Sequence, residues 1–129
     1  MSNQGDTGSW GERAAAAFLR RTRGFSLVAC NWRNPRDLRE EIDLVCRDGE
    51  ALVFIEVKTR AGDALVPGYH AVDWRKRRVL LRVFKAYMKL LRHKPRTFRF
   101  DIVEVEMTGG EPIIRHFENV ALFSKHFHA

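Results

Sequence analysis

Residues 41–58 read Glu41-Ile42-Asp43-Leu44-Val45-Cys46-Arg47-Asp48-Gly49-Glu50-Ala51-Leu52-Val53-Phe54-Ile55-Glu56-Val57-Lys58, two apolar runs joined across an Asp-Gly step. Such a step between strand-like runs is a strong short-range hairpin signal. Pairing Arg47 with Glu50 around it sets Asp43 opposite Phe54 and Glu41 opposite Glu56. Side chains alternate across a strand. This register therefore projects Glu41, Asp43, Glu56 and Lys58 from one face and Ile42, Leu44, Cys46, Val53, Ile55 and Val57 from the other.

Carboxylates opposite one another on neighbouring strands repel, and a third on the diagonal adds to the cost unless a cation sits among them. Mg²⁺ or Mn²⁺ meets that need, because it takes oxygen ligands, keeps several waters and shares its remaining positions with substrate phosphate. Lys58 beside such an ion would steady an attacking hydroxide or the charge growing on a phosphoryl oxygen. The competing reading is a solvated outer face on which Glu56 and Lys58 form a surface pair worth under about 1 kcal/mol. The rest of the chain decides between them.

Charge is segregated along the chain. Of the twenty-three Lys and Arg residues, eleven fall between Trp74 and Phe100, where there is no acid, and all sixteen Asp and Glu residues lie elsewhere. A polyanion bound by the basic segment and cut at the acidic one accounts for the division. The 129 residues suit a single domain spanning 1–129, with flexible ends at 1–8 and 124–129, able to bury roughly two thirds of its unfolded surface. No basic-then-apolar leader and no apolar run near the roughly 20 residues of a membrane span is present, which predicts a cytoplasmic protein without a membrane partner. Cys30 and Cys46 lack metal-ligand spacing and are expected to be buried free thiols.

Ser9-Trp10-Gly11-Glu12 fits a capping box opening a helix after a frayed Met1–Thr7, with the helix ending near Gly24. Phe25–Trp32 reads as a strand, Asn34-Pro35 as a turn with a polar loop to Arg39, and Ala61–Tyr69 as an irregular loop. From Asp73 as cap to Arg92, Val79, Leu80, Val83, Phe84, Tyr87, Met88 and Leu91 make a helical stripe. Thr97–Met107 and Pro112–Phe117 follow as strands around Gly109-Gly110. The order predicts an α/β fold: a central mixed five-stranded sheet with a helix on each side, its acidic face opening onto a groove.

Placed on these elements, Gly11-Glu12-Arg13-Ala14-Ala15, Glu41-Ile42-Asp43-Leu44 and Phe54-Ile55-Glu56-Val57-Lys58-Thr59-Arg60 resemble the motifs of the UPF0102 (YraN-like) family. Asn31, Arg33, Lys76 and Arg99-Phe100-Asp101 extend the match. The family usually has Gly where this chain has Glu40. That family is in turn similar to the restriction-endonuclease-like, PD-(D/E)xK nucleases and the archaeal Holliday-junction resolvases. The resemblance implies a three-layer α/β/α fold with Asp43 and Glu56 as metal ligands, Lys58 as the catalytic lysine and Glu12 as an extra acid from the first helix. With the Val57 carbonyl, those acids would hold Mg²⁺ or Mn²⁺.

Each assignment has an alternative. Glu12 stands third after Ser9 and can equally close the capping box; Glu41 is either a supporting base behind the ligands or an outer charge. Arg60 and Lys76 would bind backbone phosphate together with Arg75, Arg78 and Arg82 of the basic helix, or pair with the surplus acids. Arg99-Phe100-Asp101 suits a salt bridge from strand to helix better than substrate contact. Trp10, Trp32 and Trp74 suit packing anchors, with Trp74 also placed to stack on an unpaired base. His116, His126 and His128 are left outside the site.

The activity these expectations describe is metal-dependent endonucleolytic hydrolysis of structured or branched DNA, chosen by shape because no base-reading motif is evident. A junction resolvase cuts two strands symmetrically, which implies a two-fold homodimer. The rival from another class is a non-catalytic nucleic-acid-binding adaptor that works with a DNA-processing partner.

Overall fold

The computed structural model describes the backbone of residues 3–61 and 73–123 and the side chains of residues 9–60 and 73–123. The loop expected over Ala61–Tyr69, apart from Ala61, and His126 and His128 lie outside the described residues. The elements run α1 (Asn3–Arg23), β1 (Ser26–Asn34), β2 (Asp37–Asp48), β3 (Ala51–Ala61), α2 (Trp74–Lys89), β4 (Thr97–Met107) and β5 (Ile113–Phe117). The five strands lie in chain order in one sheet, with β3 and β4 parallel and the other neighbours antiparallel. A parallel pair needs a long crossover. Here α2 lies within it, and the predicted mixed sheet between two helices is the observed architecture.

Both faces of the sheet's centre are apolar. On one, Leu44, Cys46, Val53, Ile55, Val103 and Val105 pack with Ala15 and Leu19 of α1. On the other, Val45, Leu52, Phe54, Phe100 and Ile102 pack with Leu81, Val83, Phe84 and Tyr87 of α2. Phe54 stacks on Phe84 with centroids 4.3 Å apart and planes 5° from parallel. Truncating such a buried ring costs about 3–5 kcal/mol. The expectation that the face carrying Glu41, Asp43, Glu56 and Lys58 lies open to a groove is thus corrected: apolar residues of β2, β3 and β4 on the second face are covered by α2.

Register is corrected too. Asp48 pairs with Ala51 and Val45 with Phe54, so the hairpin loop is Gly49-Glu50 and the pairing moves by two residues. The reason is local: Gly49, at φ 59°, takes the first loop position, where a primed two-residue turn needs positive φ. An even shift preserves the faces of the ladder. A second correction does not: Ile42 joins the α2-side core whereas Leu44 joins the α1-side core, so alternation breaks at Asp43.

α1 begins at Asn3, ahead of the predicted cap, and Ser9 lies inside it, its Oγ accepting from Arg13. Once Ala15 and Leu19 dock on the sheet, extending the helix costs only propagation. Glu12 is therefore not a capping-box residue. α2 starts where expected, with Asp73 accepting from the Arg75 and Lys76 amides, but stops at Lys89 instead of Arg92. Lys94 Nζ donates to the carbonyls of Met88, Lys89 and Leu91, which satisfies the helix end. Leu81, absent from the predicted stripe, is buried while Val79 is exposed, and Arg77 is buried with its guanidinium on the Ala121 carbonyl at 2.6 Å. Cys46 is buried as expected and burial pushes its thiol up to about 12. Cys30 is exposed, because β1 is an edge strand whose outer residues neither helix covers.

Candidate active site

The site forms where β2 and β3 part. Their pairing is regular up to Leu44 and Ile55 and then ends. Beyond that point the Asp43 carboxylate takes the place of a backbone partner: its Oδ2 accepts the Val57 amide at 2.9 Å. A side chain has replaced a ladder carbonyl, which fixes Asp43 in the fork and lays the Val57 backbone beside it.

α1 delivers Glu12 to the same fork. A Cβ at Gly11 would stand 2.1 Å from Thr59 Oγ1 of β3, so only glycine permits the helix to come this close. Glu12 is the next residue. Its carboxylate, that of Glu41 and that of Asp43 place ligand oxygens within 4.8 Å of one another. Burial, helped by the nearby Glu41 and Glu56, holds Asp43 above the ordinary carboxylate range despite the Val57 hydrogen bond and Lys58. Burial likewise raises Glu12, with Asp43 and Glu41 adding to it and the Asn31 side chain opposing it. Glu41 meets Arg33 at 2.9 Å.

Glu56 sits on the α2 side of this trio. Lys58 Nζ at 2.9 Å and Lys76 Nζ at 3.1 Å both meet its Oε1. Burial works against the charge of Glu56, but the two lysines outweigh it and hold the carboxyl below its usual range; Glu56 in turn raises Lys76. Asp43, Glu41, Glu56 and Lys76 line a cleft of about 160 Å³ floored by Ile42, Ile55, Phe84 and Phe100. A neighbouring cleft of about 260 Å³ holds Glu56, Lys58, Asp73 and Lys76.

The structure thus brings Glu12, Glu41 and Asp43 into one trio and Glu56, Lys58 and Lys76 into an adjoining ion-pair group. The sequence left Glu41 as either a supporting base behind the ligands or an outer charge, and the resemblance implied Glu56 as a ligand. The break at Asp43, invisible to a strict two-residue alternation, accounts for the regrouping.

The remaining cations separate. Arg60 lies 3.7 Å from Glu104 across the β3–β4 pair. Arg75 and Arg78 are exposed on α2. Arg82 is tied at 2.6 Å to Glu40, which also accepts from Asn34 at 2.9 Å. The one departure from the family motif therefore engages an arginine assigned to phosphate. Arg36, Arg78, Arg82, Lys85 and Lys89 line a groove of about 660 Å³ between the β1–β2 turn and α2. Trp32 packs edge-on against Tyr87, Trp10 packs against the α1-side core, and Trp74 carries Arg77 over its ring.

Asp101 marks a second buried polar centre. It accepts from Arg99 Nε at 3.0 Å and from the Asn119 amide at 2.9 Å, and meets His116 Nε2 at 2.8 Å. Arg99 also donates to Asp48 at 3.0 Å. The Arg99 bridge thus ties β4 to the β2–β3 turn and to the segment after β5, rather than to a helix.

An α/β sheet that parts over a cluster of helix-borne and strand-borne carboxylates, with a lysine two residues beyond a strand glutamate, is the class of protein this fold and site define. Comparison gives the family. The profile of "Uncharacterised protein family UPF0102" matches residues 11–105, and the chain belongs to that family. A UPF0102 protein of Nitratidesulfovibrio vulgaris (strain DP4) is 38% identical over 110 residues, covering 85% of this chain and 79% of its own. One from Symbiobacterium thermophilum is 44% identical over 99 residues (77% and 80%), and one from Herpetosiphon aurantiacus 32% identical over 119 residues (89% and 93%). Among the described residues no helix is long and apolar enough to cross a membrane.

Proposed function

We propose that the protein is a metal-dependent nuclease that hydrolyses phosphodiester bonds of branched or otherwise structured DNA. The observation that carries this reading is the carboxylate trio. Glu12, Glu41 and Asp43 are drawn together at a strand fork, and two of them are held above their ordinary range, so the group is short of positive charge. Carboxylate oxygens alone, without thiolate or imidazole, suit Mg²⁺ or Mn²⁺. Asp43, Glu12 and Glu41 would hold the ion. Glu56, which both lysines meet at Oε1, and the Val57 carbonyl, on the same stretch of β3, would complete the donor set. A divalent ion bound there supplies a lowered pKa for water and positive charge against phosphoryl oxygens.

The chain's own residues do the rest. Lys58, oriented by Glu56, offers ammonium hydrogens to the attacking oxygen or to the phosphoryl oxygen that gains charge in the transition state. Lys76 keeps Glu56 ionised and can exchange that contact for a substrate phosphate. Arg75 and Arg78 extend the positive surface along α2 toward the flanking backbone.

The test is cleavage of labelled single-stranded, duplex, flap and four-way-junction DNA and structured RNA with Mg²⁺ or Mn²⁺, beside Asp43→Asn, Glu56→Gln and Lys58→Ala. Asn and Gln keep the local hydrogen-bond acceptors. Metal-dependent cutting lost in all three establishes the reading, and the preferred substrate names its target. Binding without cutting in the native protein, unchanged in the variants, transfers the assignment to a nucleic-acid adaptor.

A further inference from the structure

Asn31 is exposed, lies in the middle of edge strand β1, and has a backbone φ of 53°. Among the described residues the only other non-glycine residue with positive φ is Asn119. Strand interiors do not call for this conformation, and asparagine reaches it more readily than most side chains, though less freely than glycine. The kink is matched across the sheet. Cys30 pairs with Leu44 and Trp32 with Ile42, which sets Asn31 level with Asp43. Ala29 and Trp32, three residues apart, both pack on the α2-side core, so β1 breaks its alternation where β2 does.

Two consequences meet at this point. Asp43 leaves the ladder for the Val57 amide, and the Asn31 side chain lies close enough to Glu12 of α1 to favour its charged carboxylate. If only the backbone shape mattered, glycine would serve better. What asparagine adds is a donor without charge. An arginine or lysine would also fix Glu12, yet it would neutralise the cluster and compete with any cation.

We propose that Asn31 is a positioning residue: its left-handed backbone makes the kink that lets Asp43 turn out of the ladder, and its side-chain amide fixes the Glu12 carboxylate beside Asp43 and Glu41. This rests on the metal-site reading above, in the way that partners behind a ligand orient it and tune its affinity.

The experiment combines Mn²⁺ binding by calorimetry to the native, Asn31→Gly and Asn31→Ala proteins, thermal unfolding of each, and the NMR position of the Asn31 side-chain amide in native and Glu12→Gln proteins without metal. Glycine keeps the backbone and removes the amide. Asn31→Gly is expected to unfold no earlier than native while binding Mn²⁺ about 10–100-fold more weakly. Asn31→Ala is expected to lose thermal stability as well, and Glu12→Gln to move the Asn31 amide resonance. Native affinity in Asn31→Gly, or an unmoved resonance, overturns the proposal. A native protein that binds no Mn²⁺ would overturn the metal reading itself, and the resonance would still decide separately whether Asn31 fixes Glu12.

Discussion

Asp101 and Asp43 are acids in strands of one sheet, and the protein treats them in opposite ways. Asp101 is fully buried and every neighbour favours its charge: His116, Arg99 and the Asn119 amide outweigh burial and hold it below the ordinary carboxylate range. Asp43 is less buried and has one amide donor, and its close neighbours include Glu12, Glu41 and Glu56. The first arrangement is complete within the chain. The second leaves Asp43 above the ordinary range despite Lys58, and on the reading proposed above a divalent ion would balance it.

Removing Asp101 is the harshest way to break the comparison. Asp101→Ala strands Arg99 and frees the segment carrying His116 and Asn119, and losing one partner of a buried charge pair costs about 3–5 kcal/mol. Chemical denaturation with a shifted midpoint checks it. Because the Asp101 pKa is lowered, its contribution is present above the ordinary value of 3.8 and is lost as pH falls through the folded-state value. The native protein therefore gains an acid-unfolding component that Asp101→Asn lacks.

Lys58→Ala addresses the other centre. It is expected to lower the cleavage rate about 10²–10³-fold, the size of losing one transition-state donor, with little change in stability. Single-turnover rates on the preferred substrate, beside a melting curve, separate the two effects.

Asp43→Asn sharpens the contrast with Asp101, since its sign is reversed. The folded-state pKa of Asp43 is raised, so in metal-free protein the native chain loses stability as pH climbs from 3.8 through that value. Asn keeps the acceptor for the Val57 amide and removes the charge. Metal-free Asp43→Asn is expected to melt a few degrees above native at neutral pH, on the order of 1 kcal/mol. Saturating Mn²⁺ should raise the native melting temperature and leave the variant's unchanged.

The smallest effect concerns the cationic surface. Arg78→Ala is expected to reduce the salt dependence of nucleic-acid binding by about one unit of slope. Arg82→Ala should change it less, because Glu40 already offsets that guanidinium. Binding titrations at several salt concentrations compare the two.

Much of this was legible in advance because it rests on neighbours in the chain. The hairpin, the Asp73 cap, the span of β4 and the spacing of Glu56 and Lys58 follow from turn chemistry and side-chain periodicity, which act over a few residues. Gly11 and Asn31 announced themselves only as letters in a motif. Their meaning lies in what they meet: Thr59 across a helix–sheet contact for one, Glu12 and the level of Asp43 for the other. The Asp101 centre joins residues from β4, β5 and the β2–β3 turn. No local rule collects those.

By itself, then, the sequence determined the element types, their order, the mixed sheet between two helices and the set of acids and lysines available for chemistry. Tertiary structure alone decided how those charges are partnered. It placed Glu56 with Lys58 and Lys76 and left Glu12 and Asp43 together, because the fork between β2 and β3 turns Asp43 out of its alternation and the close packing of α1 brings Glu12 to it. Periodicity assigns a side chain to a face, whereas electrostatic partnership depends on distances of a few ångströms, and those exist only once the layers have packed.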